Sequence, residues 1–482
     1  MPAGSVSVIA TFMKRLLSFV LILSSFALEG VGAPKASDFA ARPVPEWLLK
    51  TVICQVPLRS FTQEGTLSAA AERLGHLEDA GIGCVYLLPI VESDPDQNRE
   101  FWSPRQKRSN TNNPCNPYRI KNYFKIDSEY GTDADLKKFV DRAHGLGMKV
   151  VLDLVYYHCG PTADIITSNP DFVTRDESGK VKNGLWLFPA LNFDNPNLRE
   201  YLISNMEHFV REFDVDGYRA DAEQYIPIGF WEMARGRLER IKPDIVLIAE
   251  SSRPECQLKA YDANYGFGIS LNMKDFFAGS KNAKVRTAKE LEKRFAQNQA
   301  RYPKGARVMY HYDNHDLSTD HGRPEAAMPY EAADAMTAFL LAFDGIPMLF
   351  AGNEIADRAG YNLFANRYHN RSVLDWSAAF TDAGKRRLGI VKAMSKIRRE
   401  RPEFSSGELK WIDSGNDRVL AFERSKGDSK TFVFVSASPE AVEISAKLPD
   451  SPNAYFAQRA KVSGGGDSAK VSLEPYGFAL VE

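Results

Sequence analysis

From residue 51 onward, short apolar runs alternate with stretches whose apolar residues recur at spacings of three and four, the pattern of parallel βα units. Leu67, Ala70, Leu74 and Leu77 mark one amphipathic helix, Gly81 ends it, and residues 82–89 follow as a strand apolar on both faces. The next unit repeats the design. Thr132 with Asp135 reads as a capping box, Leu136, Phe139, Ala143 and Leu146 form the stripe, Gly147 stops it, and 148–156 is the strand. Further strands are expected at 52–56, 215–222, 245–250, 306–312 and 346–351, with helical stretches at 231–241 and 332–343. This rhythm approaches the eight units of a (β/α)8 TIM barrel, with a doubly wound open sheet as the alternative.

A polar excursion rich in Pro, Gly, Asn and Asp, at about 159–197, interrupts the rhythm after the third strand and reads as a small inserted subdomain. Ile390, Ala393, Met394 and Ile397 mark a last long helix. From about residue 407 the period becomes two, with short alternating runs at 419–424 and 431–436, the pattern of an antiparallel β-sandwich. The expected plan is a catalytic barrel at 45–400 and a C-terminal sandwich at 407–482. Trp411 in the latter is expected to be packed rather than a binding surface.

Residues 1–33 follow another logic: Lys14 and Arg15, an apolar run at 16–28, then Val31-Gly32-Ala33. That is the layout of a cleaved signal peptide, implying a secreted or periplasmic protein with no stable membrane insertion afterwards; the run is short for a span of about 20 residues. Five cysteines leave one unpaired even where disulfides form, so no disulfide framework organises the chain. Cys54 and Cys84 sit in strand-like runs as buried thiols, and Cys115 and Cys159, both in loops, are left as a candidate pair. Lys plus Arg number 61 against 62 Asp plus Glu, which excludes the polycation expected of a nucleic-acid binder.

Active sites of such barrels lie where strands end, so polar residues closing apolar strands are the first candidates. Four places qualify: Asp153 with His158, Arg219 with Asp221, Glu250, and His315 with Asp316. Arg219 and Asp221 are two apart on one strand and leave the same face, so the guanidinium is expected to keep Asp221 ionised. Glu250 follows Leu247, Ile248 and Ala249, and an apolar wall with a second carboxylate nearby would hold it protonated. One anionic and one protonated carboxyl group are what a retaining glycosidase requires.

The order and spacing of these four motifs resemble the α-amylase superfamily, glycoside hydrolase family 13, over residues 47–482. The resemblance implies a barrel with an insertion after its third strand, a C-terminal sandwich, and cleavage or transfer at α-glucosidic bonds. It puts the nucleophile on Asp221, the acid/base on Glu250 and the third carboxylate on Asp316. It also assigns substrate-binding roles to Asp153, His158, Arg219 and His315, and through the segment 116–132 it places the tyrosine that stacks under the reacting sugar at Tyr118. Two departures concern calcium: Tyr157 and Tyr225 stand where residues that help hold that ion are common. Calcium is therefore possible but not implied with its usual ligands, and no metal site is assigned. Gln224 replaces a frequent Lys that contacts sugar beyond the cleavage point. The expected partner is an α-glucan or oligosaccharide, most simply α-1,4-linked, and the expected activity is hydrolysis. The alternatives are a transglycosylase using the same intermediate and a non-catalytic carbohydrate-binding protein on the same scaffold.

Overall fold

The computed structural model describes residues 34–108, 116–281, 283–365 and 372–482. The segment read as a signal peptide and Cys115 of the candidate disulfide lie outside the described residues; Cys159 is buried. No described helix is long and apolar enough to cross a membrane.

Ten strands precede the C-terminal part: β1 Ile53–Val56, β2 Cys84–Leu87, β3 Val91–Ser93, β4 Ile120–Ile126, β5 Lys149–Leu154, β6 Gly217–Ala220, β7 Val246–Ala249, β8 Ala263–Tyr265, β9 Val308–Tyr310 and β10 Ile346–Phe350. Eight of them close a parallel barrel in the order β1-β10-β9-β8-β7-β6-β5-β2, so the closed barrel holds and the open sheet does not. The near-continuous apolar runs have a simple cause. Alternate side chains such as Ile53, Tyr86, Val151, Ile248, Met309 and Met348 fill the barrel interior, while Cys54, Val85, Val150, Leu247 and Leu349 face the surrounding helices. Cys54 and Cys84 are both buried, one on each side of the barrel wall.

Local signals read from the sequence recur in the helices. Leu67–Asp79 is capped by Thr66, and Asp133–Gly145 carries the Thr132/Asp135 capping box. Gly81 and Gly147 take left-handed conformations, φ 84° and 74°, that let the chain turn from helix into strand. The insertion after β5 is a short helix, Asp164–Ser168, and an irregular hairpin held by bridges such as Val173 to Leu191 and Asn183 to Pro189. A second excursion, between β2 and the helix Asp133–Gly145, carries the antiparallel pair β3-β4 and the short helix Pro104–Arg108. It was not expected.

The C-terminal strands β11 Glu408–Trp411, β12 Val419–Lys426, β13 Ser429–Ser436, β14 Val442–Leu448, β15 Ala454–Ser463 and β16 Gly466–Val481 form one antiparallel network. β16 pairs with β14 through its first half and with β13 through its last residues, and side chains from both ends of the sheet share one core, including Val419, Phe434, Ile444 and Val471. Trp411 is packed, its ring 5.6 Å from those of Phe343 and Phe422.

At the end of the barrel where strands begin, Asp216 is almost fully buried, its Oδ2 accepting a hydrogen bond from the Val150 amide at 2.9 Å. It is ringed by His144, Lys149 and Lys242 at 2.7, 2.9 and 2.8 Å. Burial alone would push this carboxyl up, but its hydrogen bonds from His144, Lys242, Lys149 and Val150 outweigh burial and hold it well below the usual range. A depressed pKa contributes stability that is present above the unfolded-state value near 3.9 and lost as pH falls through the folded one. Asp216→Asn is expected to cost about 1–3 kcal/mol in urea unfolding at pH 7, since three partners lose their buried anion yet keep Asp214 or Asp244 and can still reach water. The gap from wild type should shrink below about pH 4. An unchanged unfolding midpoint at pH 7 would mean that this cluster does not brace the barrel.

Candidate active site

The four motifs converge at the opposite rim. Asp153 is the last residue but one of β5, Arg219 lies in β6, and Asp221 and Glu250 directly follow β6 and β7, their amides donating to Leu154 O at 2.8 Å and Ala220 O at 3.0 Å. His315 and Asp316 open the helix His315–His321 beyond β9, capped by Asn314, and the His315 amide donates to Gln55 Oε1 at 2.9 Å. A cleft of about 380 Å³ takes in Tyr118, His158, Asp221, Glu250, His315 and Asp316. Asp153 and Arg219 form its buried floor.

Arg219 is fully buried and grips three carboxylates. Its Nη1 lies 2.6 Å from Asp153 Oδ1 and 3.0 Å from Asp221 Oδ1, and its Nη2 pairs with Glu250 Oε1. Ala222, in a left-handed conformation, aims its amide at Glu250 Oε2 at 2.9 Å. From the sequence, Arg219 was expected to pair with Asp221 and keep it ionised. Shared among three acids, it does not: burial and the neighbouring Glu250 push the Asp221 carboxyl well above the usual range despite Arg219. Burial also raises Glu250, against the pull of Arg219, with Asp316 adding to the rise. Two close carboxyls that both resist ionisation hold one proton between them.

Asp153 Oδ2 accepts from Tyr86 at 2.7 Å and Tyr118 at 2.8 Å. Tyr118 also meets His315 Nε2 at 2.9 Å, their rings parallel at 5.4 Å. With its own proton given to Asp153, Tyr118 accepts from His315, which fixes that tautomer. His158 Nε2 donates to Tyr118 O at 2.8 Å. Burial lowers His158 to about 4 and His315 to about 3, so both rings are uncharged at neutral pH. Asp316 is the anion of the set: burial opposes its ionisation, but His315 and Arg105 hold it at about 2. At neutral pH the permanent charge of Arg105 carries most of that effect.

Sequence reading missed several residues. Tyr86 looks like an ordinary strand residue, and only the barrel's alternation sends its hydroxyl inward. Arg105 lies in the unforeseen second excursion. Trp186 and Phe188 line the cleft from the insertion; Trp186 and Leu187 have φ of 60° and 68°, a conformation that favours glycine. The Trp186 ring is 6.3 Å from that of Tyr225, and Tyr157 is 5.2 Å from Tyr225. Rings packed on each other do not offer the oxygen ligands calcium takes, so these two positions do not fit that ion. Among the described residues no three His, Cys, Asp or Glu side chains are grouped to hold a metal.

The maltogenic alpha-amylase of Bacillus acidopullulyticus is 25% identical over 413 residues, which are 79% of this chain and 64% of that protein. A cyclomaltodextrinase of Geobacillus thermopakistaniensis is 25% identical over 448 residues, 86% of this chain and 70% of that protein. The chain thus spans under two thirds of the first relative's length. In fold it is similar to a noncanonic maltogenic alpha-amylase, AmyB, of Thermotoga neapolitana, with a TM-score of 0.76 at 23% identity over 90% of this chain and 99% of that one. The Alpha-amylase family description, "Alpha amylase, catalytic domain", matches residues 38–177 and 182–383, which include every strand of the barrel and every polar residue of its rim, and the chain belongs to that family.

Proposed function

We propose that this protein is an exported retaining glycosidase acting on α-glucosidic bonds, most simply α-1,4 bonds, in starch-type glucans or maltooligosaccharides. The observation that carries this reading is the single guanidinium of Arg219 spanning Asp221 and Glu250. Carboxyl groups held by adjacent nitrogens of one fork favour the short separation of about 5 Å used in retention over the longer gap of about 6.5–9.5 Å that admits a water. Export rests on the segment at 1–33 alone.

In this mechanism the reacting sugar stacks on Tyr118, and Asp316 accepts hydrogen bonds from its hydroxyls. Bringing the anomeric carbon to Asp221 favours the anion there, so the shared proton passes to Glu250. Glu250 gives it to the departing glycosidic oxygen while Asp221 Oδ forms the bond to carbon. Glu250, now a carboxylate, takes a proton from water as the water displaces Asp221. Uncharged His158 and His315 orient Tyr118 without adding positive charge to the floor.

A second reading, transfer to a sugar hydroxyl instead of water, is favoured by the ring cluster of Trp186, Tyr157 and Tyr225 on the side of β5 to β7. Trp186 is 41% exposed in a conformation costing about 1–3 kcal/mol, as expected of a platform kept for a ligand. Lengthened products from maltotriose would identify transfer, and only shortened ones hydrolysis.

Asp221→Asn is expected to lower kcat on maltooligosaccharides by about 10³-fold or more with folding intact. Glu250→Gln should lose a similar factor on these substrates, yet far less on α-glucosyl fluoride, whose leaving group needs no proton. Turnover of maltooligosaccharides by Asp221→Asn at the wild-type rate would end this reading. The pH profile offers a separate check. A raised pKa keeps the acid form present to higher pH, so kcat/KM should fall on the alkaline side through an ionisation above the usual carboxylate range of about 4–5. Glu250→Gln should flatten that limb, and an alkaline limb persisting unchanged in it would place the acid elsewhere.

A further inference from the structure

Arg105 has no part in the mechanism above, yet it holds the third carboxylate. Its Nη1 pairs with Asp316 Oδ1, its Nη2 donates to Asp316 O at 3.0 Å, and its Nε donates to Asp320 Oδ1 at 2.7 Å. The guanidinium also lies 5.7 Å from the ring centre of Phe364, a buried side chain lining the cleft. The Leu363 amide in turn donates to Thr319 Oγ1 at 3.1 Å. Connections following β2, β9 and β10, three strands on one arc of the barrel, are thereby joined across one end of the cleft. Asp221, Glu250 and the exposed rings of Trp186 and Tyr225 belong to the opposite arc, β5 to β7.

We infer that Arg105 closes the glycone end of the cleft, so that the enzyme takes substrate by its non-reducing chain end. The inference rests on the roles proposed above. If Glu250 protonates the leaving oxygen, the aglycone departs over the β5 to β7 arc. The sugar retained on Asp221 then points its far end at Asp316 and the guanidinium, where a forked donor can read terminal hydroxyls and stands in the way of further units. Asp320, an exposed partner outside the cleft lining, steadies the fork from behind.

Maltoheptaose and a derivative blocked by a 4,6-ethylidene group on its non-reducing glucose separate the possibilities when their consumption is followed by chromatography. Wild type should consume the blocked chain at least about tenfold more slowly than the free one, and Arg105→Ala should bring the two rates within about threefold. Arg105→Lys, a point charge without the fork, should fall between, and Asp320→Asn should move the ratio the same way by less. The ratio is internal to each variant, so a general loss of turnover leaves it readable, and should Arg105→Ala fail to fold, the other two decide. Equal wild-type rates on both chains overturn the inference, as does a folded Arg105→Ala that keeps the wild-type ratio. If wild type consumes neither chain, the α-glucan reading fails and this inference fails with it.

Discussion

The rim depends on one buried cation serving three acids. Burying a carboxylate without a partner is costly, and placing three together is costlier, because each opposes the ionisation of the others. Arg219 makes the cluster tolerable without neutralising it: Asp153, Asp221 and Glu250 share one positive charge. Asp153 also accepts two tyrosine hydroxyls, which lets it lean less on the guanidinium. Asp221 and Glu250 lack that support from neutral donors, apart from the Ala222 amide, and burial pushes both carboxyls up.

The two ends of the barrel use the same ingredients in opposite proportion. At the end where strands start, one buried acid, Asp216, meets three basic groups that also reach the exposed Asp214 and Asp244; at the end where they finish, one buried base faces three acids. Surplus donors drive a carboxyl pKa down, which makes the site inert near neutral pH and useful for stability. Surplus acids drive it up, which costs stability and keeps a proton available for transfer. The polarity of parallel strands thus separates bracing from chemistry, the division of labour expected of this barrel.

The barrel and its rim were largely legible in the sequence because each signal was local. Doubly buried strands read as apolar runs, helix ends carried Thr132 or Gly147, and the polar residues closing strands were conspicuous against their neighbours. What escaped was decided at a distance. β8 has only three residues with a polar one in the middle, and Asn264 is acceptable there because its amide donates to Ser251 O at 3.0 Å and Arg253 O at 3.2 Å. The charge state of Asp221 escaped for the same reason: the neighbour on its own strand was visible, but the two acids competing for that neighbour come from β5 and β7. Tyr86 and Arg105 acquire their roles only once the barrel closes.

The walls of the cleft differ in how they are built, and the difference bears on what each can do. The β9 to β2 side is tied by charged and hydrogen-bonded links among Arg105, Asp316, Asp320, Thr319 and Leu363. Directional bonds of this kind fix positions and suit the recognition of a defined set of hydroxyls. The β5 to β7 side presents rings, Trp186 and Tyr225, more than a third exposed and held by packing alone among the described contacts of their side chains. Flat apolar faces tolerate sugars in several rotations and spacings. The retaining mechanism we propose would use this asymmetry, because one sugar must be held through two displacements while the group on the other side leaves and a different acceptor enters.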